Sequence, residues 1–291
     1  MRTRPLGPDA PAVSSIGFGG MPLSISGRPS EEQAIRTIHA ALDAGATLID
    51  TADVYCLDDN DLGHNERLIA KALGSWAGPR DHLIVATKGG LTRPGGRWER
   101  HGHPDHLRRA CDRSLRALGV ERIDLYQFHA PDSRVSFLES VGALAQLRTQ
   151  GKVRWVGLSN VSVPEIEDAS RLVPITTVQN RLSPFFREAL RDGVVAHCAE
   201  QRIGFLAYSP VGGGRLNRKL PGHPVLRPIA ERLGASTHAV TLAWVLAQGA
   251  TVIPIPGSRT PEHARDAIAA ADLPLAPEDL TAIDRAVFRT D

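Results

Sequence analysis

Short runs of β-branched and aliphatic residues alternate with longer amphipathic stretches about eight times along this chain, with no linker between them. Few folds accommodate that rhythm. The strand candidates are "SIGFG", "TLIDTA", "LIVATK", "IDLYQFH", "VRWVGLSN", "ITTVQN", "GFLAYSP" and "TVIPIP". Helical patterns such as "EEQAIRTIHAALDAG", "NERLIAKALGS", "DHLRRACDRSLRALG", "FLESVGALAQLRTQG" and "EHARDAIAAA" lie between them. Gly45, Gly74, Gly119 and Gly151 sit where helices commonly end. Ser162 with Glu165 has the spacing of a capping box, and Thr260 with Pro261 that of an N-cap and first helical residue. Eight β-then-α units in 291 residues predict an α/β fold, a (β/α)8 TIM barrel forming a single domain over 1–291, with room for a short N-terminal β-hairpin. An open doubly wound sheet fits less well. "GFGGM" lacks the full G-x-G-x-x-G spacing of the dinucleotide-binding turn.

Composition narrows the function. A net charge of +2, from 34 basic and 32 acidic residues, leaves no electrostatic footprint for nucleic acid or a membrane surface. Small-molecule chemistry is the expectation. Three scattered cysteines, without C-x-x-C spacing, indicate neither a disulfide framework nor a zinc knuckle and fit a reducing cytoplasm. "MRTRPLGPDAP" has no apolar segment of the signal-peptide kind. The apolar stretch "AVTLAWVLAQGATVIPIP" is broken by Gln248, Gly249 and two prolines, so a helix-to-strand junction is predicted rather than a membrane span. Nothing in the pattern specifies an oligomer, and a monomer is the default.

In such a barrel the strand C-termini converge on one face, where polar residues are candidates for chemistry. After the first strand and its Gly19 and Gly20, seven strand ends present Asp50, Lys88, His129, Ser159 with Asn160, Gln179 with Asn180, Tyr208 with Ser209, and Ser258 with Arg259. Lys88 is one of only four lysines in a chain that otherwise uses arginine, and Tyr55 and Tyr208 are two of three tyrosines. A lysine's compact charge can tune a neighbour in a way arginine's delocalised fork does less well. Together these residues suggest a proton-transfer site. Asp50 holds Lys88 charged, Lys88 lowers the pKa of Tyr55, and the phenol becomes an acid near neutral pH. His129 hydrogen-bonds the reacting oxygen from a second direction. In "LIDTADVY" Leu48 and Ile49 are expected to fill the barrel, and Asp53, between the two key residues, to solvate or salt-bridge at the rim.

Beyond single residues, ordered segments resemble the aldo-keto reductase superfamily over nearly the whole chain. "IDTADVY…NERLIAKAL" is similar to its D-T-A-x-x-Y signature and following helix, "VATKGG" to its lysine strand, and "ERIDLYQFHAPD" to its histidine strand. "VRWVGLSN", "TVQNRLSP", "LAYSPVGGG" and "IPGSRTPEH" resemble its nicotinamide and phosphate contacts in the same order. The resemblance implies an NADPH-dependent reductase of aldehydes or ketones, with catalytic Asp50, Tyr55, Lys88 and His129. It implies that Ser159, Asn160 and Gln179 bind the carboxamide and that Tyr208 stacks on the nicotinamide. Gly20, Met21, Asp50, Ser209, Pro210 and Gly212 are the further implied cofactor contacts. At the phosphate end Gly257 replaces a common lysine, leaving Ser258, Arg259, His263 and Asp266. Arg259 at a helix N-terminus favours NADPH over NADH. A cofactor-bound regulatory or sensing subunit of the same fold is the alternative.

"RHGHPDH" carries three histidines but lies just before a helix start at Pro104 and Asp105, and a solvated loop rather than a metal site is predicted. Trp98 is the better candidate, for lining a substrate pocket.

Overall fold

The computed structural model describes residues 2–291, and the chain opens with an antiparallel hairpin, β1 (Thr3–Pro5) and β2 (Ala12–Ser14). Eight parallel strands follow in one sheet, in chain order: β3 (Phe18–Gly19), β4 (Leu48–Asp50), β5 (Ile84–Gly89), β8 (Ile123–Phe128), β9 (Val153–Ser159), β10 (Ile175–Arg181), β11 (Gly204–Tyr208) and β12 (Val252–Pro254). A second antiparallel pair, β6 (Leu91–Thr92) and β7 (Glu99–Arg100), interrupts them after β5. The sheet curls until its edges meet. Gly17 and Gly19 donate to the carbonyls of Pro254 and Pro256, each at 2.9 Å, and Gly19 bridges Gly257 in parallel.

Parallel neighbours need a crossover, and helices supply it. They are α1 (Glu31–Asp43), α2 (His64–Ser75), α3 (Pro104–Leu118), α4 (Phe137–Thr149), α5 (Val163–Ser170), α6 (Glu188–Arg191), α7 (Val194–Glu200), α8 (Gly213–Leu216), α9 (Leu226–Leu233) and α10 (Thr237–Ala247), with α11 (Pro261–Ala269) and α12 (Pro277–Arg285) after the last strand. Their ends follow local chemistry. Ser30 accepts from Gln33 to start α1, the Glu165 carboxylate takes both the N–H and hydroxyl of Ser162 at α5, and Thr260 accepts from His263 at α11. The apolar stretch divides into α10 and β12. Gly74 departs from expectation. It stays inside α2, which ends at Ser75, whereas Gly119 is the left-handed cap of α3 and Gly45 and Gly151 follow α1 and α4 at positive φ.

Strand alternation sorts the core into two layers. Leu48, Ile84, Ala86, Leu125, Trp155, Leu206 and Ile253 cluster inside the curled sheet with Leu6 and Val13 of the hairpin. Ile49 does not join them. One residue on from Leu48, it faces outward and packs with Ile38 and Ile69 of α1 and α2, correcting the idea that both residues of that strand line the interior. The hairpin floors the end opposite the strand C-termini, where the backbone of Leu6 comes so close to Gly204 that a Cβ there would meet the Leu6 carbonyl at 2.0 Å. Trp155 donates to the carbonyl of Asp9 at 3.2 Å.

Candidate active site

Continuing the same alternation upward from Leu48, Ala86 and Leu125 places Asp50, Lys88 and Gln127 in the next inward layer. All three side chains are buried, and Lys88 is fully so. The Lys88 ammonium donates to Asp50 Oδ1 at 2.5 Å, to the Thr51 carbonyl at 2.9 Å and to Tyr55 Oη at 3.0 Å. Tyr55 arrives from the loop after β4, and its ring meets that of His129 edge-on at 5.9 Å. The four predicted chemical residues are therefore one cluster at the strand C-termini.

Burial pulls the Lys88 pKa down, but Asp50 and Tyr55 together outweigh it and the net direction is upward, so the ammonium stays charged. For Tyr55 burial prevails over the favourable charge of Lys88, and the phenol is raised above its ordinary value. That corrects the expectation of a lowered pKa. The hydroxyl keeps its proton through neutral pH and is a donor in waiting rather than a half-ionised acid. Burial, reinforced by Lys88, holds His129 well below the usual imidazole range, so the ring is neutral and can donate from one nitrogen while its Nδ1 has no partner.

The second carboxylate oxygen of Asp50 accepts from Gln179 at 2.7 Å and from Gln127 at 3.2 Å. Gln179, expected to address a carboxamide, is thus also tied to Asp50. Gln127 is a residue that sequence reasoning missed, though a polar side chain inside the apolar run "IDLYQF" was the available signal. Its neighbour on the next strand is Gly157, where a Cβ would stand 2.8 Å from the Gln127 Cγ and 2.4 Å from the Thr177 hydroxyl. Asn65 was likewise passed over: it accepts from Thr51 at 2.6 Å and donates to the Gly20 carbonyl at 2.8 Å, while the Gly20 N–H reaches the Asp50 carbonyl at 2.8 Å.

On the other flank Asn160 donates to the His129 carbonyl at 2.9 Å and to the Ser159 hydroxyl at 3.0 Å, and accepts from the Tyr208 hydroxyl at 2.8 Å. Asn160 and Ser209 hold left-handed backbones at φ 59° and 50°, conformations that persist where surroundings impose them. Pro210 and Gly212 continue the same turn, the Gly212 N–H closing on the Ser209 carbonyl at 2.9 Å. Met21 packs against the cluster of Ala52, Val54 and Tyr55. Ser258 is buried beside the sheet closure, and Arg259 leads into α11 with Nε and Nη2 on the carbonyls of Pro22 and Ser26 at 3.2 and 3.0 Å. His263 lies exposed on the first turn of α11, and Asp266 accepts from Ser236 at 2.6 Å.

Asp53 is not a rim residue. It is 1% exposed behind the Tyr55 loop, 3.5 Å from Arg113, and burial followed by the nearby Glu66 pushes its pKa to about 8. His101, His103 and His106 have structural partners: His103 caps α3 through the Asp105 N–H, and the rings of His101 and His106 stack at 4.1 Å. Trp98 stands half exposed with its ring 6.3 Å from that of Tyr55.

The description "Aldo/keto reductase family" belongs to the sequence model that matches residues 15–287. A probable aldo-keto reductase 1 of Glycine max is 35% identical over 97% of this chain and 88% of its own length. An uncharacterized oxidoreductase of Schizosaccharomyces pombe is 33% identical over 94% of the chain and 86% of its own length. Among solved structures, an aldo-keto reductase from Klebsiella pneumoniae in complex with NADPH superposes with a TM-score of 0.81 at 26% identity, covering 98% of this chain and 95% of the other.

Proposed function

The chain belongs to the aldo/keto reductase family, and from that premise we propose that it is an NADPH-dependent oxidoreductase, built as a (β/α)8 barrel, that reduces an aldehyde or ketone to an alcohol with Tyr55 as general acid. The observation that carries the reading is the buried Lys88 ammonium bonded at once to Asp50 and to the Tyr55 hydroxyl. NADPH supplies the hydride when bound.

The residues at the strand ends suit that cofactor. The Asn160 and Gln179 amides with the Ser159 hydroxyl offer the donors and acceptors a carboxamide needs, and Tyr208 offers a ring face. Ser209, Pro210 and Gly212 form a turn suited to a pyrophosphate. The positive end of α11 with Arg259, and His263 on its first turn, suits a 2′-phosphate, and so favours NADPH over NADH. Asp266 lies farther along the same helix, on its Ser236 contact.

As the substrate carbonyl oxygen gains negative charge, the Tyr55 hydroxyl gives it a proton. Lys88 stabilises the phenolate left behind, and Asp50, held by Gln127 and Gln179, keeps Lys88 charged and in place. Neutral His129 donates a hydrogen bond to the same oxygen, orienting the carbonyl toward Tyr55.

Consumption of NADPH with a panel of aldehydes tests the reading. Wild type is expected to turn over, and Tyr55→Phe to lose about 10²-fold or more in kcat while still binding NADPH. No aldehyde-dependent consumption by wild type, or an unaffected Phe variant, refutes the mechanism. Arg259→Ala is expected to weaken NADPH binding more than NADH binding, and equal losses would remove the phosphate role.

A further inference from the structure

Arg93 follows the lysine strand, in the segment between β6 and β7, and is 5% exposed. Its Nη2 donates to the carbonyls of Cys56 and Leu57, both at 3.1 Å, but Nε and Nη1 have no partner. A guanidinium cannot shed its charge to relieve this, so a buried cation with two unmet donors is a costly arrangement unless something answers it. Its position suggests what. The guanidinium lies 3.9 Å over the Trp98 ring, Trp98 meets the Tyr55 ring, and Tyr55 meets His129. Leu57 and Trp98, 41% and 47% exposed, are two of the six exposed large hydrophobics among the described residues, and both flank this arginine. The mouth beside Tyr55 therefore has an apolar rim with an unanswered cation behind it.

We propose that Arg93 is a specificity-determining residue that selects carbonyl substrates with an apolar body and a terminal carboxylate, which accepts a charge-assisted hydrogen bond from a free N–H of the guanidinium while the carbonyl faces Tyr55 and His129. A hydrogen bond between two ionised partners is shorter and roughly twice as strong as one between neutral groups. The half-exposed Trp98 ring covers the guanidinium and is displaced by the incoming acid. The proposal rests on the reductase reading and adds a substrate class to it.

Steady-state reduction of 4-formylbenzoate and of its methyl ester with NADPH separates the two. The substrates share ring and carbonyl and differ in charge. Wild type is expected to favour the acid in kcat/KM by about tenfold or more, the scale of a charge-assisted hydrogen bond. Added salt should shrink that ratio. Arg93→Met is expected to bring the ratio to about one through KM for the acid, and Trp98→Ala, which uncovers the guanidinium, to retain it. A wild-type ratio at or below one overturns the proposal even if Arg93→Met does not fold. So does a ratio that survives in Arg93→Met. Reduction of the ester without preference for the acid leaves the reductase reading standing, whereas reduction of neither overturns both.

Discussion

Lys88 is fully buried, and its charge is tolerable there because Asp50, the Thr51 carbonyl and Tyr55 all accept from it. Removing it strands Asp50. Lys88→Met should cost about 3–5 kcal/mol in urea unfolding, since the cost of breaking a buried pair exceeds the pair's net worth. Asp53 poses the reverse case. Its carboxyl is held at about 8 against an ordinary 3.8, so the folded protein binds its proton more tightly than the unfolded chain does. The resulting stability is complete below the unfolded value and is lost as pH rises through the folded one. Melting temperatures of Asp53→Asn and wild type are therefore expected to diverge in the variant's favour between pH about 4 and about 8, and parallel curves would contradict the shift. The sequence showed that Asp50, Lys88 and His129 belong together, because each ends an apolar run with a polar group, and Tyr55 drew attention as one of only three tyrosines. It did not show the fate of Asp53, because burial between a loop and α2 and α3 is set by residues far along the chain.

A strand contributes alternate residues to two environments, and the whole site depends on that parity. Counting by twos from Leu48 leads to Asp50, from Ala86 to Lys88, and from Leu125 to Gln127. Reading Ile49 as interior fails for the same reason, since neighbouring residues on a strand cannot share a face. Gly157 makes room for this layer. Gly157→Ala would drive a Cβ into Thr177 and Gln127, loosening Gln127 from Asp50. The expected outcome is a loss of about 1–3 kcal/mol in denaturant unfolding, together with a fall in kcat. Helix ends were legible where a side chain makes the cap, as at Ser162 and Thr260. Gly74 was not, because unlike Gly45, Gly119 and Gly151 it takes no left-handed backbone and the helix simply runs on to Ser75.

Over the whole molecule, the hairpin floor and the mouth beside Tyr55 lie at opposite ends of the curled sheet. Leu6 is fully buried against the interior layer, so Leu6→Ala should lower stability by roughly 2–5 kcal/mol. Chemistry at the far end should be spared, with KM for an aldehyde unchanged below the melting range; a large shift in KM would mean the two ends are mechanically coupled. Among the described residues no helix is long and apolar enough to cross a membrane.

The period of the apolar residues by itself determined the eight strands, their interleaved helices and the row of polar strand ends, since alternation and amphipathicity are local properties written into neighbouring residues. Tertiary structure alone decided that burial raises Tyr55 against the pull of Lys88, that Gln127 and Gln179 share one oxygen of Asp50, and that Arg93 is left without an anion. Those outcomes depend on solvent exclusion and on distances between residues up to 129 positions apart, which no local pattern encodes.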